Sequence, residues 1–200
     1  MHIIKRIAAG FFLCLPILLP GQSWMSRPMS LSVFNNATML PPASLTSVFN
    51  QPLHPGIAAS YEFGWREKTY GKWFQNATFG YFSHRYVYRA LLLYSQAGYR
   101  RNLGYLSVEG SLHAGYMHAF LITDRLVPQG DGTYKAKKGF GKPQFITGAG
   151  LGLGYNIGGM DSGRRIFLNY DIRIQMPFVK SYVTLLPNGI VSLGMQLTLE

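Results

Sequence analysis

Ile166-Phe167-Leu168-Asn169-Tyr170-Asp171-Ile172-Arg173-Ile174-Gln175-Met176 alternates without a break. Ile166, Leu168, Tyr170, Ile172, Ile174 and Met176 fall on one side, and Phe167, Asn169, Asp171, Arg173 and Gln175 on the other. Successive side chains of an extended chain point to opposite faces, so a period of two marks a strand with one oily and one polar face. Such a run has the roughly nine to eleven residues that a tilted strand needs to cross a bilayer.

The same period recurs in both directions. Ile57, Ala59, Tyr61, Phe63 and Trp65 alternate with Ala58, Ser60, Glu62, Gly64 and Arg66. Leu106, Val108, Gly110, Leu112, Ala114 and Tyr116 alternate with Tyr105, Ser107, Glu109, Ser111, His113 and Gly115, and Val191 to Leu199 repeats the pattern. Trp73–Ser83 and Tyr88–Arg100 are aromatic-rich strands with mixed faces. Phe145–Tyr155 sets Phe145, Thr147, Ala149, Leu151 and Leu153 against Gly148, Gly150, Gly152 and Gly154. Glycine at every second residue is neither G-x-G-x-x-G nor a Walker motif, so no nucleotide or other cofactor is expected. On a strand it gives a face without side chains, suited to a crowded interior.

Turn signals at Lys68–Lys72, Arg101–Gly104, Gly158–Arg164 and Pro187-Asn188-Gly189 separate seven strands, and Ser30–Asn36 supplies an eighth. With eight strands, Ala37–Pro55, Ile122–Lys142 and Val179–Asn188 all fall on one side and the short turns on the other. That asymmetry and the even strand number are habits of bacterial outer-membrane barrels. The expected fold is therefore an all-β, antiparallel, up-and-down transmembrane barrel of eight strands.

Composition agrees. Of 200 residues 48% are hydrophobic but only 14% charged, with 23 Gly, 13 Tyr and 13 Phe. Aromatic content excludes disorder, the single cysteine excludes a disulfide scaffold, and no apolar run is long enough for a membrane helix. Met1–Ser23 has the order of a secretory signal: Lys5 and Arg6, an apolar run from Ile7 to Pro20, then Gly21 and Ser23. Residues 1–23 are read as a leader and 24–200 as the barrel, with Cys14 leaving in the leader. Without Lys5 and Arg6 the formal charge of +11 falls by two and stays basic. An exported chain meets lipopolysaccharide phosphates rather than nucleic acid. Lys135, Lys137, Lys138 and Lys142 are the candidates for contact with anionic lipid, and the sequence names no protein partner.

A soluble lipocalin-like carrier would also show eight alternating strands. Its outer face, however, would be dense in Lys and Glu. Here the polar face is mostly Ser, Gly, Asn, Gln, Thr and His with isolated ions, which fits a narrow lumen where carboxylates meet guanidinium groups. The lumen set is Glu62, Arg66, Arg100, Glu109, His113, Asn169, Asp171, Arg173 and Gln175. Trp65, Trp73, Phe74, Tyr81, Tyr86, Tyr99, Tyr105, Tyr170 and Phe178 are assigned to aromatic girdles.

With a leader, short alternating strands and a polar lumen, the chain resembles the small OmpA/OmpX-type outer-membrane barrels. Gly80-Tyr81-Phe82-x-His84, Gly98-Tyr99-Arg100 and Pro143-Gln144-Phe145 are similar to segments of outer-membrane barrels of Bacteroidota. The resemblance covers about Ser30 to Glu200 and carries no catalytic residue across. It departs from many such barrels in ending Leu197-Thr198-Leu199-Glu200 rather than on an aromatic.

Eight strands leave an interior filled by side chains, so the expected function is that of a non-enzymatic envelope protein of the outer membrane with no wide pore. One alternative is a lipid-modifying hydrolase or acyltransferase with His113 as base beside Ser111 and Glu109, although i, i+2 spacing on one strand strains a triad. The other is the soluble carrier. His54, His84 and His118 lie near outer strand ends and could hold a metal only if the loops gathered them; no metal is expected.

Overall fold

A computed structural model describes residues 28–39, 47–68, 70–84, 87–122, 125–128, 130, 133–137, 139–159, 162–178 and 184–198. The proposed leader lies outside them. The elements are β1 (Pro28–Thr38), the helical turn α1 (Ser47–Asn50), β2 (Pro55–Lys68), β3 (Gly71–His84), β4 (Tyr88–Leu103), β5 (Leu106–Leu121), β6 (Arg125–Pro128), β7 (Tyr134–Lys137), β8 (Lys142–Asn156), β9 (Arg164–Met176) and β10 (Leu186–Thr198). Eight of these strands close an antiparallel barrel in the order β1-β10-β9-β8-β5-β4-β3-β2, while β6 and β7 pair as a separate hairpin.

All eight expected strands are present, and β9 is paired on both sides across the alternating run. Starting at Leu31 and stepping across paired residues leads through Ala59, Phe79, Leu93, Tyr116 and Phe145 to Met176 at the far end of β9. The strands are therefore strongly staggered, as closure of a small barrel requires. The β4–β5 connection is a tight turn in which Gly104 takes φ +72°, which glycine adopts without steric cost.

The barrel is inside out. Leu112 is 68% exposed and Leu31 65%, whereas Glu62 and Gln175 are 2% and 1% exposed. Leu193, Leu168, Ile172, Leu151 and Leu153 also stand on the outer wall. An apolar wall around a polar interior is the arrangement of a barrel dissolved in hydrocarbon, because closure leaves no unpaired strand edge. The chain is a membrane-embedded β-barrel, and the oily centre required of a soluble carrier is replaced by a largely polar one.

Several boundaries shift. The Ile122–Lys142 gap contains the β6–β7 hairpin, with Arg125 opposite Lys137 and Val127 opposite Lys135. Arg101–Leu103 belongs to β4 and Leu186–Gly189 to β10, so the turn signals at Arg101 and Pro187 lie inside strands. Pro187 has no N–H to donate; its carbonyl accepts from Met39 N at 2.9 Å. Phe74 is not a girdle residue: it shares the lumen face with Asn76 and Thr78 and is fully buried. Trp73, Tyr81, Tyr99 and Tyr105 do stand exposed outside.

Glycines on the inner face of β8 are replaced in space by their neighbours' side chains. A Cβ on Gly150 would collide with Asp171, on Gly152 with Asn169 and Glu109, and on Gly154 with Arg165. At Gly148 it would meet the backbone oxygen of Ile172, which cannot rotate away, and lie 2.6 Å from His113 Nε2. Gly148→Ala is expected to cost about 1–3 kcal/mol by overpacking. Gly110→Ala, whose nearest neighbour is Leu151 Cδ2 at 3.8 Å, should change stability little. Urea unfolding of the two variants in lipid vesicles compares them directly.

Candidate functional site

The lumen is stacked in layers along the barrel. At the end where β1 begins and β10 ends, a chain of alternating charges crosses the interior. Arg100 on β4 is its hub: Nη2 donates to Glu62 Oε2 at 2.9 Å and Nε to Glu109 Oε2 at 3.0 Å. Lys72 Nζ extends the chain to Glu62 Oε1 at 3.1 Å. Arg165 Nη2 lies 2.9 Å from Glu109 Oε2, an ion pair by distance without hydrogen-bond alignment. Gln196 Nε2 gives Glu62 a further bond of 2.8 Å, and Arg165 Nε donates to Ser107 Oγ at 2.9 Å. The Arg100 guanidinium also sits 4.7 Å over the Phe74 ring. Five ionised groups share one buried layer, each meeting an opposite charge, so the desolvation cost of burial is offset.

Beyond this layer lies a cavity of about 50 Å³, enough for a few waters. Ser32, Ser60, Ser192, Asn169, Asp171 and Arg173 are among its lining residues. Arg173 lies 4.9 Å over the Tyr94 ring, and its Nε and Nη1 are buried without a hydrogen-bond partner. His113 is buried beside Tyr94, with its Nδ1 3.9 Å from Asp171 Oδ1.

The next layer is apolar, which the expected polar lumen did not include. Phe34, Phe82, Leu92, Met117, Ile146 and Ile190 pack as one buried cluster across the interior. Above them Gln175 Nε2 donates to Gln144 Oε1 at 2.8 Å, and Tyr88 hydroxyl to Gln175 Oε1 at 3.4 Å. At the rim His54 stacks on His84, with ring centroids 3.7 Å apart and planes inclined by 17°.

Of the expected lumen residues, Glu62, Arg100, Glu109, His113, Asn169, Asp171, Arg173 and Gln175 share the inner face. The Arg66 side chain lies outside the described residues; its backbone follows a register shift between Gly64 and Arg66 and pairs with Trp73. Lys72, placed by sequence in a turn, and Arg165, which lies between the assigned turn and strand, are members of the ion-pair layer.

The candidate triad is not assembled. Ser111 Oγ accepts from Gln96 Nε2 at 2.7 Å, Glu109 is held by two arginines, and His113 turns toward Asp171. The three histidines considered for a metal are also apart: His54 and His84 stack at the rim, while His118 on the outer face accepts or donates to Tyr116 hydroxyl at 2.6 Å. Among the described residues no group of three His, Cys, Asp or Glu is placed to hold a metal ion. Lys135 and Lys142 are exposed on β7 and at the outer end of β8; the side chains of Lys137 and Lys138 lie outside the described residues.

No protein-family model and no curated protein matches the sequence. Among solved structures the chain is similar to the crystal structure of the outer membrane enzyme PagL, at 10% identity over 85% of this chain and 98% of that one, with a TM-score of 0.47. It is also similar to a de novo designed transmembrane β-barrel, at 13% identity over 88% and 98%, with a TM-score of 0.39. Both are likenesses of shape alone, and the barrel stands on the strand pairing of this chain itself.

Proposed function

We propose that the protein is a non-enzymatic barrel of the bacterial outer membrane, kin to the OmpA/OmpX-type barrels, that contacts envelope components through its outer loops and conducts no solute. The observation that carries this reading is the double closure of the lumen. The five-charge layer and the apolar cluster follow one another along the axis, with a cavity of about 50 Å³ between them. An interior filled by side chains is what eight strands provide. Lys135 and Lys142 supply exposed positive charge at the outer end for lipopolysaccharide phosphates.

The purified barrel in planar bilayers should show no conductance above the bare membrane. Lipid A from cells producing it should match that from cells producing His113→Ala. Steady conductance would replace this reading with a channel, and a lipid A change lost in His113→Ala would replace it with an enzyme.

A further inference from the structure

The segment 47–54 is tied to the outward face of β1 near Val48 and to the barrel rim through His54. Asn35 follows Leu31 and Val33 on the outward face of β1, two residues beyond Val33 and hence roughly 7 Å further along the strand. Its side chain holds the segment at two points: Nδ2 donates to Val48 O at 3.1 Å, and Oδ1 accepts from His54 N at 2.8 Å. Gln51 Nε2 adds a bond of 2.7 Å to Thr38 O. Val48 is buried while Phe49 and Leu53 are left 75% and 72% exposed. These two large apolar side chains, Phe49 in the turn of helix and Leu53 just after it, have no partner within the described residues that covers them. The outer wall directly below, at Val33 and its paired residue Ile57, is itself exposed and apolar.

We infer that residues 47–54 form an interfacial foot whose Phe49 and Leu53 enter the outer edge of the lipid bilayer. The occupant is lipid rather than protein because the patch is continuous with the lipid-facing wall. An aromatic and an aliphatic chain at the upper margin of that wall lie where acyl chains give way to head groups. The foot is also tied to the mouth. Asn36 N donates to His54 O at 3.2 Å, His54 Nδ1 lies 3.1 Å from Asn36 O, and the His54 ring covers His84. Lipid contact at Phe49 and Leu53 therefore fixes the position of a rim residue.

This inference rests on the membrane reading of the wall, and the test separates the two. The only cysteine in the sequence is Cys14, so with Cys14→Ser as background each new thiol reports alone. Phe49→Cys, Leu53→Cys, Leu193→Cys and Lys135→Cys are labelled with an environment-sensitive fluorophore in phosphatidylcholine vesicles carrying a nitroxide near the head group or deep in the chain. The expected result is strong quenching at positions 49 and 53 by the shallow nitroxide, little by aqueous iodide, quenching at 193 by the deep nitroxide, and iodide quenching alone at 135. Iodide quenching at 49 and 53 equal to that at 135, with 193 still quenched from lipid, overturns the foot and leaves the barrel. Loss of lipid quenching at 193 overturns the membrane reading itself.

Discussion

Arg100→Met is expected to destabilise the folded barrel by about 3–5 kcal/mol, because it strands two buried carboxylates at once. Glu62 loses the Nη2 bond of 2.9 Å and Glu109 the Nε bond of 3.0 Å. Neither can turn to solvent, since both are 6% exposed or less. Lys72 remains on Glu62 and Arg165 on Glu109, but each then carries alone a charge that two cations had balanced. Methionine keeps most of the volume and the contact with Phe74, so the loss reports charge rather than a cavity. Adding Glu62→Gln to Arg100→Met should recover part of it by removing one stranded charge. Arg101→Met, one residue on and exposed on the outer face, should stay within about 0.5 kcal/mol. Urea unfolding in lipid vesicles, read as a midpoint shift at constant slope, tests all three. Equal midpoints for Arg100→Met and the parent would show that the layer contributes specificity alone.

Sequence periodicity could find the wall but not the partners across it. The β9 run reads unambiguously because one face carries four polar residues and the other none. β4 does not: Ala90 and Leu92 face inward while Leu91 and Leu93 face lipid, and a run that is apolar on both faces has no alternation to read. The apolar layer made by Leu92, Phe34 and Ile190 was therefore hidden, although each strand was placed. The ion-pair layer joins Glu62 on β2, Lys72 on β3, Arg100 on β4, Glu109 on β5 and Arg165 on β9; Arg100 and Glu109 are direct partners in the β4–β5 hairpin, but only barrel closure and stagger bring Glu62 to Arg100 and Arg165 to Glu109. Extending the β9 alternation by one more step, from Phe167 to Arg165, would have put that arginine inside. The register shift between Gly64 and Arg66 is likewise invisible to alternation, which runs on unbroken through Phe63-Gly64-Trp65-Arg66. The β6–β7 hairpin has strands too short for a period to show.

The outward register has a consequence of definite sign at Leu193. That side chain stands near the middle of β10, 53% exposed, between the paired outward residues Val33 and Leu168. If its surroundings are hydrocarbon, Leu193→Arg places a guanidinium near the midplane and should cost about 2–4 kcal/mol. If its surroundings were water, the same change at an exposed site would fall within about 0.5 kcal/mol and would improve solubility. Leu106→Arg supplies the depth control, because Leu106 opens β5 at the margin of the wall and is equally exposed. Near an interface the cost falls to about 0–1 kcal/mol, since the long side chain can carry its charge out to the head groups. A barrel in lipid thus separates the two substitutions by a kcal/mol or more in vesicle unfolding, whereas a barrel in water cannot tell them apart. The comparison cancels helix or strand propensity and side-chain entropy, which are the same for both, and leaves depth in the bilayer as the variable. Indistinguishable midpoints for Leu193→Arg, Leu106→Arg and the parent would mean that the apolar wall faces something other than a membrane.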